Sequence, residues 1–427
     1  MNDIKGTPNQ GLAGATLGFF FGFAAVALFS PTAKNFQQML NLSPVLLGLL
    51  VAVPSLSGSL LRIPFSAWVD TTGGRKPFLV LLLLSIIGML GLFLVVQFLY
   101  PDRMNIHLYP LLLLLGALSG CGIATFSVGI SQVAYWFPQK RQGYALGMFA
   151  GIGNLAPGIF SFILPFALSS LGLALSYFFW LVFLLVGTLL YHLLGRNAWY
   201  FQLKTGGTSH SESMQLAKRR FGQEIFPSGR LLNSLLISMK IWRTWALVIL
   251  YFTSFGGFIA LTAWFPIYWT SFYDVSIVMA GSLTASYSIL ASLTRVGGGA
   301  ISDRLGGEKT ALLALFTMFT GAIFMALSQQ FVLSILGSLL MAVGMGANNA
   351  AVFKLVPQEV PQAVGGAAGW VGGLGAFGGF IIPPVMGAFV KAHTIGYARG
   401  FVVFIALSVF SLAIAAVLRA SKRKAGG

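Results

Sequence analysis

The sequence predicts an all-α membrane protein of twelve transmembrane helices, arranged as two pseudo-twofold-related six-helix bundles. Three observations carry this. Of 427 residues, 57% are hydrophobic and only 8% are charged. Soluble domains carry about 25% charged residues, so this surface cannot face water. Apolar runs long enough to cross a bilayer, about 20 residues each, recur along the chain. The two halves also repeat each other's motifs.

The runs fall near 11–31, 44–68, 77–100, 108–136, 144–167, 173–195, 243–268, 276–300, 310–328, 332–354, 364–390 and 400–419. The polar stretch Met1–Gln10 has no cleavable-signal pattern, so the first run is expected to be retained as a span. An even number of spans puts both termini on one side. The charge of +17 then resolves into topology. Of the 26 Lys and Arg, only Lys34, Arg103, Lys391 and Arg399 fall outside; Arg62 and Arg295 lie within spans; the remaining twenty lie inside. This positive-inside asymmetry predicts a multi-pass protein of the cytoplasmic (plasma or inner) membrane with both termini cytoplasmic. It makes a nucleic-acid partner unnecessary. The bilayer is the expected partner, with anionic headgroups at the tail Ser421–Lys424. Lys354, at a span end, reads as a snorkelling anchor.

The segment 196–242 is polar and basic. It separates 1–195, an N-terminal six-helix bundle, from 243–427, a C-terminal six-helix bundle with a basic tail, and reads as a cytoplasmic linker loop. Arg62, Asp70, Gly73, Gly74 and Lys76 recur at a constant offset of 233 as Arg295, Asp303, Gly306, Gly307 and Lys309. Gly143, Gly147, Gly151 and Gly153 recur at an offset of 222 as Gly365, Gly369, Gly373 and Gly375. Two six-span halves in the same orientation are one of the repeat patterns of secondary transporters, which place substrate at the interface near the midplane.

Asp70 and Asp303 mark span ends, and each intramembrane Arg lies eight residues earlier, about 12 Å along a helix. Both guanidiniums therefore sit near the middle of a core about 30 Å thick. All nine acidic residues fall in loops or at span ends, so no carboxylate stands at that depth. An unpaired Arg there is costly, and the missing counter-charge reads as the cargo. Guanidinium offers forked donors to planar oxyanions. Two of them, flanked by Gly-rich helices that narrow the space, predict a small, planar, monoanionic substrate. The loops Asp70-x-x-Gly73-x-Arg75 and Asp303-Arg304-x-Gly306 read as gate latches, with the carboxylate capping a helix or pairing with its neighbouring Arg.

Little suggests an enzyme. The four His are scattered, Cys121 is isolated, and there is no Walker-type loop, so neither metal nor cofactor is expected.

The paired loop motifs and twelve spans resemble the major facilitator superfamily. The stretches Cys121–Phe126, Phe137–Asn154 and Gly365–Phe380, with Leu250–Ile259, resemble its nitrate/nitrite porter family. Ser66 stands where the loop motif usually begins with Gly. The resemblance implies that Arg62 and Arg295 bind substrate and that Phe126 and Phe255 sandwich the anion. It further implies that Tyr251 hydrogen-bonds near it and that Asn154 supplies the polar residue of the first nitrate motif. It implies transport of nitrate or nitrite by alternating access, with nitrate/nitrite exchange as the main expectation. Proton-coupled nitrate symport and carriage of another small planar anion, such as formate, oxalate or cyanate, stay open. A monomer is expected.

Overall fold

The structure, a computed structural model, describes residues 4–138, 141–227, 231–390 and 396–425. Lys140, Arg230, Lys391 and the side chains of the tail charges Lys422–Lys424 lie outside the described residues. Among the described residues every regular element is helical.

Eleven helices are long and apolar enough to cross a membrane. They are α1 (Pro8–Ala27), α2 (Pro44–Thr72), α3 (Arg75–Leu99), α4 (Ile106–Trp136), a 50-residue unit Ala145–Leu194, α7 (Trp242–Phe272), α8 (Ile277–Leu305), α9 (Gly307–Leu327), α10 (Phe331–Glu359), α11 (Pro361–Ala388) and α12 (Gly396–Ser421). At 1.5 Å per residue the long unit would measure about 75 Å, far more than one crossing needs. It is interrupted at Gly172, whose φ of 76° is open to glycine at no steric cost. The interruption yields α5 (145–171) and α6 (173–194), restoring the expected twelve.

Short polar residues start several spans. Thr7 and Gln10 form a capping box, and Ser276 accepts from Met279 N at 3.2 Å. The repeated loop glycines end two more. Gly73 (φ 78°) closes α2 and Gly306 (φ 89°) closes α8, so the same backbone requirement recurs in both halves.

Six spans break or change pitch partway across. The breaks are the 3₁₀ turns Ala24–Ala27 in α1 and Cys121–Ala124 in α4, and the junctions at Leu61 in α2, Asn154–Leu155 in α5 and Phe377 in α11. In α7 it is a π-turn, Phe252–Gly256. The helices α3 and α9 carry no such break, and α12 is interrupted only at Gly400–Phe401, close to its start. Irregular backbone at membrane depth survives only where protein or a cavity surrounds it, so the breaks mark the molecule's functional axis.

The halves meet along two seams, α2 with α11 and α5 with α8. At the end away from segment 196–242 the seams are tight. A Cβ on Gly48 would stand 2.6 Å from Pro383 O, and one on Gly281 would run into Ser161 O. Lys34 Nζ also reaches Thr270 O at 2.8 Å there. At the opposite end the α5–α8 seam is slack, and a Cβ on Gly147, Gly297 or Gly299 would meet nothing within 4 Å. The molecule is closed at one end and open at the other.

Segment 196–242 is not a loop. It forms the helices Trp199–Thr205, His210–Phe221 and Leu231–Ser238. The first docks by side-chain-to-backbone bonds. Gln132 Nε2 and Trp136 Nε1 donate to Arg196 O, at 2.9 and 3.0 Å. The last lies on α11, where Gly366 N donates to Ser234 Oγ (2.9 Å) and Trp370 Nε1 to Leu235 O (3.1 Å). Polarity argued for a loop, but the polar side chains stand on the exposed faces of these helices, and Ser234 satisfies the orphan N–H of Gly366 in the first turn of an α11 helix.

The seams make one prediction. Gly281→Val should lower thermal stability in detergent by several degrees, through about 1–3 kcal/mol of overpacking. Gly147→Val should leave it unchanged in the same melting assay.

Candidate functional site

Arg62 opens the second piece of α2, immediately after the break at Leu61. It is 1% exposed. Its Nε donates to Gly58 O (3.0 Å), an orphan carbonyl of the first piece, and its Nη1 to Gly372 O (3.1 Å) on α11. That second bond crosses between the halves. Nη2 is buried without an acceptor. Arg295, on unbroken α8, likewise keeps a buried Nη1 with no acceptor. Neither guanidinium forms an ion pair with a carboxylate among the described residues.

Rings replace the missing acids. Arg62 Cζ stands 4.9 Å from the Phe126 centroid and 5.2 Å from that of Phe255. Arg295 Cζ stands 5.7 and 5.5 Å from the same two rings. Each cation is thus nearly equidistant from both rings. Such contacts are worth about 0.5–2 kcal/mol each, well short of a carboxylate. Tyr251 stacks on Phe255 at 4.8 Å and 11°. Its hydroxyl is buried beside both guanidiniums without a well-formed hydrogen bond.

The expected sandwich needs adjustment. Phe126 and Phe255 are stacked with centroids 6.0 Å apart. A planar anion between two faces needs about 7 Å, twice a van der Waals contact of about 3.5 Å.

A cavity of about 420 Å³ leads to this cluster from the slack end. It terminates on Arg62, Phe126 and Phe353, while Gly365, Gly369 and Gly373 form much of one wall. Ile225, Phe226 and Ser234 of segment 196–242 line its mouth. Arg295, Phe255 and Tyr251 lie behind the terminus rather than on its wall. Asn154 is not on the wall either. It is buried at the α5–α8 seam, where Ser292 Oγ donates to its carbonyl at 3.0 Å and its Oδ1 lacks a partner.

The glycine motifs divide by task. Gly375 gives room to the Tyr251 ring (2.6 Å from a Cβ placed there), Gly373 to Ile63 (2.8 Å) and Gly153 to Phe19. Gly369 faces Leu235 (3.3 Å) and Gly151 faces Val296 (3.2 Å). Gly147 faces open space, and Gly143 lies in the first turn of the helix Gln142–Gly153.

The loop motifs are wired differently from expectation. The Asp70 carboxylate accepts from Tyr135 Oη at 2.5 Å, not from Arg75, and caps no helix. Arg75 Nη2 donates to His192 O at 2.9 Å. Asp303 pairs with Lys354 at 2.8 Å, while Arg304 is exposed. Lys354 also donates to Ser302 O (2.6 Å), so it braces α8 rather than snorkelling. Each contact stays within one half. Carboxylate and partner meet across a helix pair, a relation that spacing along one helix does not encode.

Phe353 was not legible beforehand. It sits 5.8 Å from Arg295 Cζ and edge-on to Tyr251 at 5.0 Å. Its one signal is position, one residue before Lys354 in a helix otherwise rich in small residues. Phe353→Leu should weaken anion binding about threefold to tenfold by losing one cation–π contact, read by titration of the purified protein.

A family model for the Major Facilitator Superfamily matches residues 15–383 and 279–426. The chain is 32% identical over 406 residues to a probable nitrate/nitrite antiporter, NarK1, of Thermus thermophilus, covering 89% of this chain and 84% of that protein. It is 27% identical to a probable nitrate transporter, NarT, of Staphylococcus epidermidis, covering 99% of each. It is 27% identical to the nitrite extrusion protein of Bacillus subtilis, covering 93% and 92%. Among solved structures, the xylose transporter XylE of E. coli, in a partially occluded inward-open conformation, superposes with a TM-score of 0.70 at 14% identity, covering 96% of this chain and 98% of that one. The human organic anion transporter MFSD10 gives 0.64 at 16% identity, covering 96% and 100%. At such identity these two establish the fold.

Proposed function

Because the chain belongs to the major facilitator superfamily and, within it, to the nitrate/nitrite porter family, we propose that it carries nitrate and nitrite across the membrane by alternating access, exchanging one for the other. The observation that carries the reading is the pair of orphan donors, Arg62 Nη2 and Arg295 Nη1, buried beside the same two rings. A buried charged donor without an acceptor costs several kcal/mol. One oxyanion bridging the two would satisfy both. Phe126 and Phe255 would flank it, and Tyr251 would supply a neutral hydroxyl.

The linker side is cytoplasmic in this reading, since twenty of the 26 cations fall there. The 420 Å³ cavity then opens inward. Asn154 and Ser292 would act at the α5–α8 seam, which must open for release to the other side. A single chain holds the complete site, so a monomer suffices.

Exchange follows from the electrostatics of the empty site. Reorienting without an anion would carry two unpaired guanidiniums through a closed, low-dielectric state. Arg62 would also have to leave Gly372 O, which joins the halves when no anion competes. All nine carboxylates and all four imidazoles of the sequence fall in loops or at span ends, so none stands at the depth of the arginines to carry a proton in compensation.

Two outcomes follow. Arg62→Lys and Arg295→Lys should each weaken nitrate binding at least about tenfold, because an ammonium cannot make the fork. Unchanged affinity in calorimetry would refute the clamp. In proteoliposomes, labelled nitrate should enter vesicles preloaded with nitrite at least about tenfold faster than empty ones, since an empty carrier is trapped. Fast uptake into empty vesicles that tracks an imposed pH gradient would establish proton symport instead.

A further inference from the structure

A second cavity, of about 600 Å³, lies away from both seams, between the linker-side ends of α3 and α6 and the helix Trp199–Thr205. Arg75, Lys76 and Lys204 all line it, and no carboxylate does. A charge balance of three cations to no anion calls for an anionic occupant. The cleft is also preformed. Asn197 Nδ2 donates to Thr72 O (3.1 Å) while its Oδ1 accepts from Arg75 N (2.9 Å). A Cβ on Gly73 would stand 2.5 Å from Asn197, so only glycine lets the walls approach. The Arg75 guanidinium is held by His192 O, yet its Nε is buried without an acceptor. Lys76 Nζ lies over the Trp68 ring at 5.9 Å.

The remaining walls are apolar. Leu79 and Val80 lie at the cleft's edge on α3. Beyond them Leu83, Ile87, Leu90, Leu94 and Phe98 continue along one face of the same helix, spaced three or four residues apart and 42–70% exposed. A cationic cleft at the head of a lipid-facing apolar stripe has the polarity of a phospholipid, with the phosphate at one end and an acyl chain along the other. Basic pockets between spans on the cytoplasmic side recognise such headgroups.

We propose that this cleft binds the phosphate of an anionic phospholipid, with Arg75, Lys76 and Lys204 as its ligands and the Leu83–Phe98 stripe as the acyl track. The lipid would tie the first helix of segment 196–242 to α3, and so to the half that carries Arg62. A soluble phosphate would satisfy the same cations, but the stripe favours the lipid.

The test uses the full-length protein in mild detergent, titrated with phosphatidylglycerol or phosphatidylcholine and read by native mass spectrometry. Phosphatidylglycerol adducts should exceed phosphatidylcholine adducts by about fivefold or more. Lys76→Gln with Lys204→Gln should abolish the excess while melting temperature and nitrate binding stay put. If that pair fails to fold, Lys204→Glu, at an exposed position, serves as the single-site version. Inorganic phosphate at millimolar concentration should not displace the lipid. Equal retention of the two lipids, or an excess that survives the substitutions, would overturn the proposal. Displacement by inorganic phosphate would overturn it too, and would reassign the cleft to a soluble phosphate.

Discussion

Two guanidiniums in the membrane interior, with no carboxylate at their depth, are the constraint on which the rest of this structure depends. Moving a cation from water into hydrocarbon is costly, and the fold distributes the compensation. Phe126 and Phe255 present their electron-rich faces to both charges. Breaks in the helices release carbonyls, and Gly58 O and Gly372 O accept from Arg62. Each contribution is small. Together they hold the arginines but leave one nitrogen of each without an acceptor, and that residue of unmet charge is what a small oxyanion can use.

The glycine helices are the mechanical counterpart. A transporter of this kind needs two packings of the same surfaces with similar free energy. Large side chains would interlock in one and clash in the other. Backbone-to-backbone seams such as Gly48 against Pro383, and Gly281 against Ser161, gain close contact where closed and leave shallow surfaces where open. The same residue type is tight at the far end and slack near Gly147, Gly297 and Gly299, within one seam. The α5–α8 seam therefore loosens along its length, from Gly281 against Ser161 to the open space at Gly147.

Around this axis, the loop motifs and segment 196–242 stabilise the individual bundles. Asp70 with Tyr135, and Asp303 with Lys354, brace neighbouring helices of one half. The segment between the halves is tethered at both ends, to Gln132 and Trp136 on one side and to Gly366 and Trp370 on the other. It adds apolar packing to these hydrogen bonds, with Trp199 edge-on to Trp136 at 5.0 Å and Phe201 against Tyr135 at 5.1 Å, and it borders the cavity mouth.

Much of this was legible in the residues themselves. Twelve spans follow from apolar run lengths. The two-fold organisation follows from Arg62 and Arg295 recurring with Asp70 and Asp303 at one offset. The unpaired state of the arginines needed only a census of nine acids. These properties are composition and spacing, which the chain carries in one dimension. Partnerships between helices are not of that kind. Phe353 joins the site, and Asp303 finds Lys354 instead of Arg304, because α8 and α10 are neighbours in space. Asn154 turns to a seam rather than the cavity because α5 breaks beside it. The 6.0 Å spacing of Phe126 and Phe255 depends on how the two halves are tilted. The sequence by itself determined the charges, the repeat and the class of cargo that could answer them. Only the tertiary structure decided which groups meet across the seams, since that rests on the angle between two rigid bundles and no local pattern encodes it.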